Sequence, residues 1–179
     1  MIPEAQKILI TQQEIAAKVS ELGARISADY AGSELLVVGI LKGAAIFMSD
    51  LVRTISIPVA FDFMAVSSYG ASTESSGVVR IIKDLEQSIE GRHVLIVEDV
   101  VDTGLTLNYL VDNLKSRNPA SLKLCSLLDK PSRRKVEVKA EYLGFSIPDE
   151  FVVGYGLDYS EKFRNLPYVA VLKPEVYQK

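Results

Sequence analysis

Three acidic side chains lie close together in the chain, next to a run of small and hydroxylated residues. Glu98 and Asp99 follow the apolar residues 94–97, and Asp102 begins the segment 102–106, Asp-Thr-Gly-Leu-Thr. Backbone N–H groups at a helix N-terminus have no partner within the helix and lie at the positive end of its dipole, so such a segment can bind phosphate there. Carboxylates beside it can bind sugar hydroxyls or a cation. The pattern therefore fits a sugar phosphate.

An ordinary turn between a strand and a helix would use the same residue types, with the acid pair as a solvated strand end. That alternative does not readily explain Asp102, because a negative charge inside a phosphate-binding loop opposes phosphate unless it has another task. Gly104 would let the backbone approach a ligand closely, since glycine has no Cβ. Both interpretations stay open on these residues alone.

Apolar runs without polar alternation predict the strands of a mainly parallel sheet. Such runs cover residues 35–41, 94–97 and 121–128, and they are typical of strands that are buried on both faces. Apolar residues recur at helical spacing between them, which predicts an α/β fold with a twisted, mainly parallel sheet flanked by helices. We expect helices at 11–30, 44–54 and 107–118, and further strands at 59–66, 78–82 and 168–172.

The length and composition are those of a single soluble domain. The chain has 179 residues, 48% of them hydrophobic and 24% charged, which is enough for a substantial core. No repeat or linker divides it, so we expect one domain over 1–179. The C-terminal and N-terminal segments are expected to form a small hood over the edge of the sheet.

Charge and hydropathy argue against several classes of protein. A net charge of −3 is unlike that of a dedicated nucleic-acid-binding protein. No apolar run approaches the roughly 20 residues of a membrane span, and residues 1–7 lack the pattern of a signal peptide. The expected location is the cytoplasm, with neither nucleic acid nor a membrane as a partner.

Polar side chains follow three of the predicted strands. Lys42 and Gly43 follow the first apolar run, Glu98 follows the second, and Lys130 follows the third. Ligands of open α/β sheets bind at the carboxyl ends of the strands, so we expect these groups to meet in one active site. Taken alone, Lys42 also fits a lysine that extends along a loop edge into solvent.

Other polar features are expected to be structural. Cys125 lies in an apolar run, where a cysteine acts as a small buried hydrophobe, and His93 lies at the far end of its strand from Asp99. The basic cluster at 133–135 is expected in a solvated loop. Residues 67–77 are small and polar, and such a long connection is typical of a mobile hairpin tip or of a lid.

The segment 94–106, Val-Leu-Ile-Val-Glu-Asp-Val-Val-Asp-Thr-Gly-Leu-Thr, resembles the ribose-5-phosphate-binding signature of the type I phosphoribosyltransferases, which use phosphoribosyl pyrophosphate (PRPP). The segments 127–131 and 144–164 resemble those of hypoxanthine-guanine members, and the residues around Leu105 are similar to bacterial ones. The likeness extends from about residue 41 to residue 172. It implies the type I phosphoribosyltransferase fold and transfer of phosphoribosyl from PRPP to hypoxanthine or guanine, with release of pyrophosphate.

The resemblance implies a role for each residue of the signature. Asp102 would accept the proton from purine N7 as a general base, which explains an acid inside a phosphate loop. Glu98 and Asp99 would hold the ribose hydroxyls and lie near Mg²⁺. The residues that would bind the ribose phosphate are Glu98, Asp99, Asp102, Thr103, Gly104, Leu105 and Thr106.

The resemblance also implies a site for the purine. Lys130 would donate a hydrogen bond to purine O6, Phe151 would stack on the base, and the backbone of Val152 would bind its polar edge. Asp158 would complete this site and hold a second Mg²⁺. Without the motif, a core aromatic residue is the favoured interpretation of Phe151.

Pyrophosphate and the lid are assigned in the same way. Lys42, Gly43 and Arg164 would bind pyrophosphate. The loop that contains Lys42 and Gly43 often has a cis peptide bond in this family. Ser68 and Tyr69 would begin a flexible loop that closes over the reacting centre and excludes water. Without the motif, Arg164 fits a surface arginine.

Other functions stay open on the sequence. The chain fits a phosphoribosyltransferase for xanthine or a pyrimidine, a PRPP-sensing regulator that binds RNA or a protein, or a non-catalytic nucleotide-binding module. Asp102 argues against the last two, and the negative net charge argues against RNA binding. Hypoxanthine and guanine are not ranked. The resemblance implies self-association, as a homodimer or homotetramer.

Overall fold

The computed structural model describes residues 1–68 and 79–178. In chain order the elements are β1 (Ala5–Ile10), α1 (Gln12–Asp29), β2 (Leu35–Leu41), α2 (Ala45–Val52), β3 (Val59–Ser68), β4 (Val79–Lys83), β5 (His93–Val101), α3 (Leu105–Lys115), β6 (Ser121–Asp129), β7 (Tyr142–Ser146), β8 (Val152–Val153), β9 (Val169–Leu172) and α4 (Pro174–Tyr177). Most of the loop predicted at 67–77 lies outside the described residues, Tyr69 included, whereas Ser68 ends β3.

The larger sheet contains six strands in the order β4-β3-β2-β5-β6-β7. Strands β3, β2, β5, β6 and β7 run parallel to one another, and β4 pairs antiparallel with β3 at one edge. This confirms the predicted α/β architecture with a mainly parallel sheet. It also places the carboxyl ends of β2, β5 and β6 at the same edge.

Helices cover both faces of this sheet, as predicted. Successive residues of a strand point to opposite faces, so Val37 packs in one core with α1 and α2, while Val38 packs in a second core with α3. Helix α1 begins with the predicted capping box between Thr11 and Glu14. None of the helices in the described part of the chain combines the length and apolar character needed to cross a bilayer.

A second, three-stranded sheet joins the two terminal segments of the chain in the order β1-β9-β8. Both pairings are antiparallel. The hood was predicted from these segments, but β1 was not predicted as a strand. Its residues are mostly exposed and lack clear alternation, because this strand is defined by its pairing with β9 rather than by burial.

Strand β5 is longer than its apolar run predicts. Its pairing with β2 ends at Val97, whereas its pairing with β6 continues to Val101. Glu98 and Asp99 therefore lie within the strand, where it has left β2, and not at its end. The prediction of a strand end at these acids was wrong because a polar pair interrupts the pattern without interrupting the hydrogen-bonded ladder.

Candidate active site

Glu98 and Asp99 lie side by side and half-buried in β5. Oε1 of Glu98 accepts a hydrogen bond from the N–H of Asp99 at 3.0 Å, and Oδ1 of Asp99 accepts one from the N–H of Val100 at 2.7 Å. Burial raises the pKa of Glu98 well above its ordinary value, and the neighbouring charge of Asp99 raises it further. Burial also raises the pKa of Asp99, although Glu98 and Arg164 oppose this shift.

When two neighbouring carboxylates are shielded from water, a bound cation stabilises their charged forms. In the described ranges 1–68 and 79–178, no group of three or more His, Cys, Asp or Glu side chains is arranged to hold a metal ion. Mg²⁺ is commonly held by one or two carboxylates together with water and substrate phosphates. The acid pair therefore fits a Mg²⁺ ion that is held jointly by the protein and a phosphorylated ligand.

Residues 102–104 form the loop between β5 and α3, whereas Leu105 and Thr106, which were predicted in the loop, already belong to the first turn of α3. Gly104 precedes the first residue of α3 with a φ of +84°, a conformation that favours glycine. A Cβ at this position would also lie 2.5 Å from the carbonyl oxygen of Val136. A cavity of about 210 Å³ opens here, lined by Glu98, Asp99, Val100, Val101, Asp102, Thr103, Gly104, Thr106 and Leu107. The acid pair and the helix N-terminus therefore share one cavity.

Asp102 has a partner that the sequence did not predict. Nε of Arg133 donates to Oδ1 of Asp102 at 2.6 Å, and Nη1 of Arg133 lies 3.7 Å from Oδ2 of Asp149. The ion pair with Asp102 raises the pKa of the Arg133 guanidinium. The side chain of Arg133 is 45% exposed, as expected for the solvated loop predicted at 133–135, and it pairs with Asp102 there.

Residues 134–136, which follow β6, are held against the loop between β5 and α3. Arg134 forms an ion pair with Asp129, and the N–H groups of Lys135 and Val136 both donate to the carbonyl oxygen of Thr103, at 2.9 and 3.1 Å. These bonds tie the segment to the loop before α3. The sequence signal for this contact is the run of cationic residues at 133–135, which follows a strand that ends at the carboxyl edge of the sheet.

The residues predicted to bind a base lie beyond the end of β6. Nζ of Lys130 donates to the carbonyl oxygen of Glu150 at 2.8 Å, which brings Lys130 to the chain just before Phe151. Phe151 is 36% exposed, and Val152 is buried in β8. These predicted residues are thus brought together.

Two tyrosines that the sequence analysis did not select contact Phe151. Tyr177 stacks on it with the ring centroids 4.7 Å apart and the planes at 20°. Tyr159 meets it edge-on, with the centroids 5.6 Å apart. Phe151 therefore has an aromatic support on one face, built from the end of the chain, and no local pattern around residue 177 could have indicated that contact.

The residues predicted to bind pyrophosphate meet at the end of β2. The peptide bond between Leu41 and Lys42 is cis, the conformation that the resemblance implied. Gly43 lies against the carboxylate of Asp99, and Gly156 lies against the carbonyl of Gly43. The end of β2 is thereby enclosed between the acid pair and the hood.

Arg164 joins this group from the hood. Its Nη2 lies 2.9 Å from Oδ1 of Asp158, and its Nη1 donates to the carbonyl oxygen of Gly156 at 2.7 Å. Glu161, which the sequence analysis did not select, accepts from Nζ of Lys42 at 2.8 Å and lies 3.4 Å from Nη2 of Arg164. Two cations thus face one carboxylate, at a place that could instead take an anionic ligand.

Two residues expected to be structural lie away from these groups. Nδ1 of His93 is 2.7 Å from Oγ of Ser121 at the opposite end of β5, and its ring meets that of Tyr30 edge-on. Cys125 is buried, and burial raises the pKa of its thiol. Both predictions are confirmed.

Comparison with known proteins gives a consistent family. The model of the phosphoribosyl transferase domain family matches residues 5–160. The hypoxanthine-guanine phosphoribosyltransferase of Bacillus subtilis is 55% identical over 175 residues, which cover 98% of this chain and 97% of that protein. The crystal structure of a hypoxanthine phosphoribosyltransferase from Staphylococcus aureus is 53% identical, with a TM-score of 0.96 over 98% of this chain and 96% of that one.

One group of relatives is much longer. The bifunctional protein TilS/HprT of Listeria monocytogenes is 54% identical over 176 residues, 98% of this chain. The chain spans only 27% of the length of that relative.

Proposed function

Because the chain belongs to the phosphoribosyl transferase domain family, we propose that it is a pentosyltransferase of purine salvage that transfers 5-phosphoribosyl from PRPP to a 6-oxopurine base. Hypoxanthine would give IMP, guanine would give GMP, and pyrophosphate would be released. The observation that carries this proposal is the shared edge at which the acid pair, the loop before α3, Lys130 and Arg164 lie. Each of these groups suits a different part of the two substrates.

PRPP would bind across the carboxyl ends of β2 and β5. The backbone N–H groups of residues 103–106 lie at the start of α3, where a 5-phosphate would receive hydrogen bonds and the positive end of the helix dipole. Glu98 and Asp99 would accept hydrogen bonds from the ribose hydroxyls. Lys42, Gly43 and Arg164 would bind the pyrophosphate group, with the two cations exchanging Glu161 for phosphate oxygens.

The base would bind between the end of β6 and the hood. Lys130 would turn from the carbonyl of Glu150 to donate to purine O6, and Phe151 would stack on the ring. The backbone of Val152 would pair with the polar edge of the base. A 6-amino group cannot accept from a lysine, and a buried charged donor left unpaired costs on the order of 1–3 kcal/mol or more, which disfavours adenine.

The chemical step would replace the bond from ribose C1 to pyrophosphate with a bond from C1 to a purine nitrogen. Positive charge builds on the ribose as the first bond breaks, and the carboxylates of Glu98 and Asp99 would stabilise it. Asp102 would accept the proton from purine N7. Glu98, Asp99 and Asp158 would hold Mg²⁺, which supplies positive charge to the leaving pyrophosphate when it is bound.

We also propose a cellular location and an oligomeric state for the enzyme. It would act in the cytoplasm and assemble as a homodimer or homotetramer. Ser68 and Tyr69 are assigned to the segment that would close over the site and keep water from competing with the base.

The proposal is tested by product formation. The protein is incubated with PRPP, Mg²⁺ and hypoxanthine, IMP is identified by chromatography, and pyrophosphate is measured in parallel. Equal amounts of IMP and pyrophosphate are expected. Failure to form IMP while PRPP binds would contradict the proposal.

A further inference from the structure

We propose that Arg133 is a positioning residue for Asp102, fixing one carboxylate oxygen so that the other is free to accept the purine proton. This inference rests on the proposed function, because it concerns the proton transfer assigned there to Asp102. Nothing in the reaction requires Arg133 to contact a substrate. Its effect is exerted through the geometry of Asp102.

The first observation is the ion pair itself. Nε of Arg133 lies 2.6 Å from Oδ1 of Asp102, a separation typical of a strong, charge-assisted hydrogen bond. Within the part of the chain that the structure describes, Oδ2 of Asp102 accepts no hydrogen bond. One oxygen of the carboxylate is therefore held, and the other is available to a ligand.

The second observation is that Arg133 connects two parts of the site. Its Nη1 lies 3.7 Å from Oδ2 of Asp149, two residues before Phe151. The guanidinium group thus extends from the loop before α3 to the chain that carries the stacking aromatic. Its planar arrangement of donors suits two carboxylates at once better than the single ammonium group of a lysine would.

The third observation is that the backbone holding Arg133 is itself fixed. The N–H of Arg133 donates to the carbonyl oxygen of Lys130 at 3.1 Å. Two residues later, the N–H of Lys135 donates to the carbonyl oxygen of Thr103 at 2.9 Å. Arg133 is therefore held between the lysine assigned to purine O6 and the loop assigned to the 5-phosphate.

The exposure of the pair indicates that its effect is on rate rather than on stability. The side chains of Arg133 and Asp102 are 45% and 41% exposed, and exposed ion pairs contribute little to folding because water and salt screen them. Misplacing a reacting group by about 1 Å, in contrast, can lower a rate by about 100-fold. Selective loss of turnover is the expected signature.

The test is a double-mutant cycle. Arg133→Ala, Asp102→Asn and the double variant are assayed for IMP formation, with thermal melting of each protein. Arg117→Ala is the matched control, since Arg117 forms an ion pair with Asp84, 2.8 Å away, outside the proposed site. Arg133→Gln keeps most of the side-chain length and carries the test if the alanine variant does not fold.

We expect Arg133→Ala to lower kcat by about 10- to 100-fold, with KM for PRPP changed less than about threefold and melting unchanged. Added to Asp102→Asn, the same change should have almost no further effect, because the group through which Arg133 acts is absent. Arg117→Ala should match the wild type.

Three results would overturn the inference while leaving the proposed function intact. Wild-type kcat in both Arg133 variants would show that Asp102 needs no support from Arg133, and a raised kcat would show that the ion pair restrains it. If Arg133→Ala lowers kcat by the same factor in the Asp102→Asn variant as in the wild type, Arg133 does not act through Asp102. A wild-type protein that forms no IMP would instead refute the proposed function.

Discussion

Gly43 packs so closely against the carboxylate of Asp99 that a Cβ on Gly43 would overlap it. The carbonyl oxygen of Gly43 in turn meets Gly156 in the hood with no room for a Cβ there either. The end of β2, the acid pair in β5 and the hood therefore form one close-packed contact. The site assigned to pyrophosphate is consequently built around two glycines, Gly43 and Gly156, at which a Cβ has no room.

Gly43→Ala should damage PRPP use severely. The added methyl group must displace the loop or the carboxylate of Asp99, and a displacement of about 1 Å at this place should lower kcat/KM for PRPP by about 100-fold. Gly32→Ala is the control, because Gly32 has a φ of +77° but open space around it. That variant should lose roughly 1–2 kcal/mol of stability and keep wild-type kinetics. Unchanged PRPP kinetics in Gly43→Ala would contradict the assignment.

Asp102→Asn should remove most turnover while leaving PRPP bound. An amide cannot accept the purine proton, and a general base contributes about 10²- to 10⁴-fold to a rate. Single-turnover rates and the affinity for PRPP should be measured separately. Asp112→Asn, an exposed acid on α3 that contacts Asn108, is the control. Lost PRPP affinity with normal turnover of the bound substrate would exclude the general-base role.

The shared carboxyl edge was predictable, because apolar strands without alternation imply parallel pairing and parallel pairing brings their ends together. The contacts of Arg133 and Tyr177 were not. Each depends on how a distant segment folds back, and neither residue lies in an apolar pattern that reports burial. The extent of β5 was also hidden, since its final residues are defined by their pairing with β6.

Lys130→Ala should weaken purine binding much more than PRPP binding. Loss of a charged hydrogen bond to O6 costs about 1.5–3 kcal/mol, which corresponds to roughly a 10- to 150-fold rise in KM for hypoxanthine. Lys123→Ala tests the same substitution on β6 away from the site, where Nζ lies 5.2 Å from the ring centroid of Tyr30. Equal effects on the two substrates would count against O6 recognition.

The acid pair should give the substrate-free protein an unusual pH dependence. The raised pKa of Glu98 means that the folded state binds more protons than the unfolded state above the ordinary glutamate value of 4.5. The free energy of unfolding therefore falls as pH rises through this window, by linkage. Glu98→Gln removes the titration of this side chain. The free energy of unfolding of the variant should therefore increase relative to that of the wild type as pH rises.

Urea denaturation without Mg²⁺ or PRPP, at several pH values above 4.5, measures that difference. The paired carboxylates at Asp62 and Asp84 have lowered pKa values and the opposite slope, but they are common to both proteins and cancel in the comparison. A difference that stays constant with pH would mean that Glu98 is not destabilised by burial and by Asp99.

The central claim is transfer from PRPP to a 6-oxopurine, and base-dependent pyrophosphate release measures it most directly. The protein is supplied with PRPP and Mg²⁺, and hypoxanthine, guanine, xanthine, adenine, uracil and orotate are offered in parallel. Release with hypoxanthine and guanine, and none with adenine or the pyrimidines, is the predicted result. If none of the six bases supports pyrophosphate release although PRPP demonstrably binds, that result would contradict the account and favour a PRPP-sensing regulator.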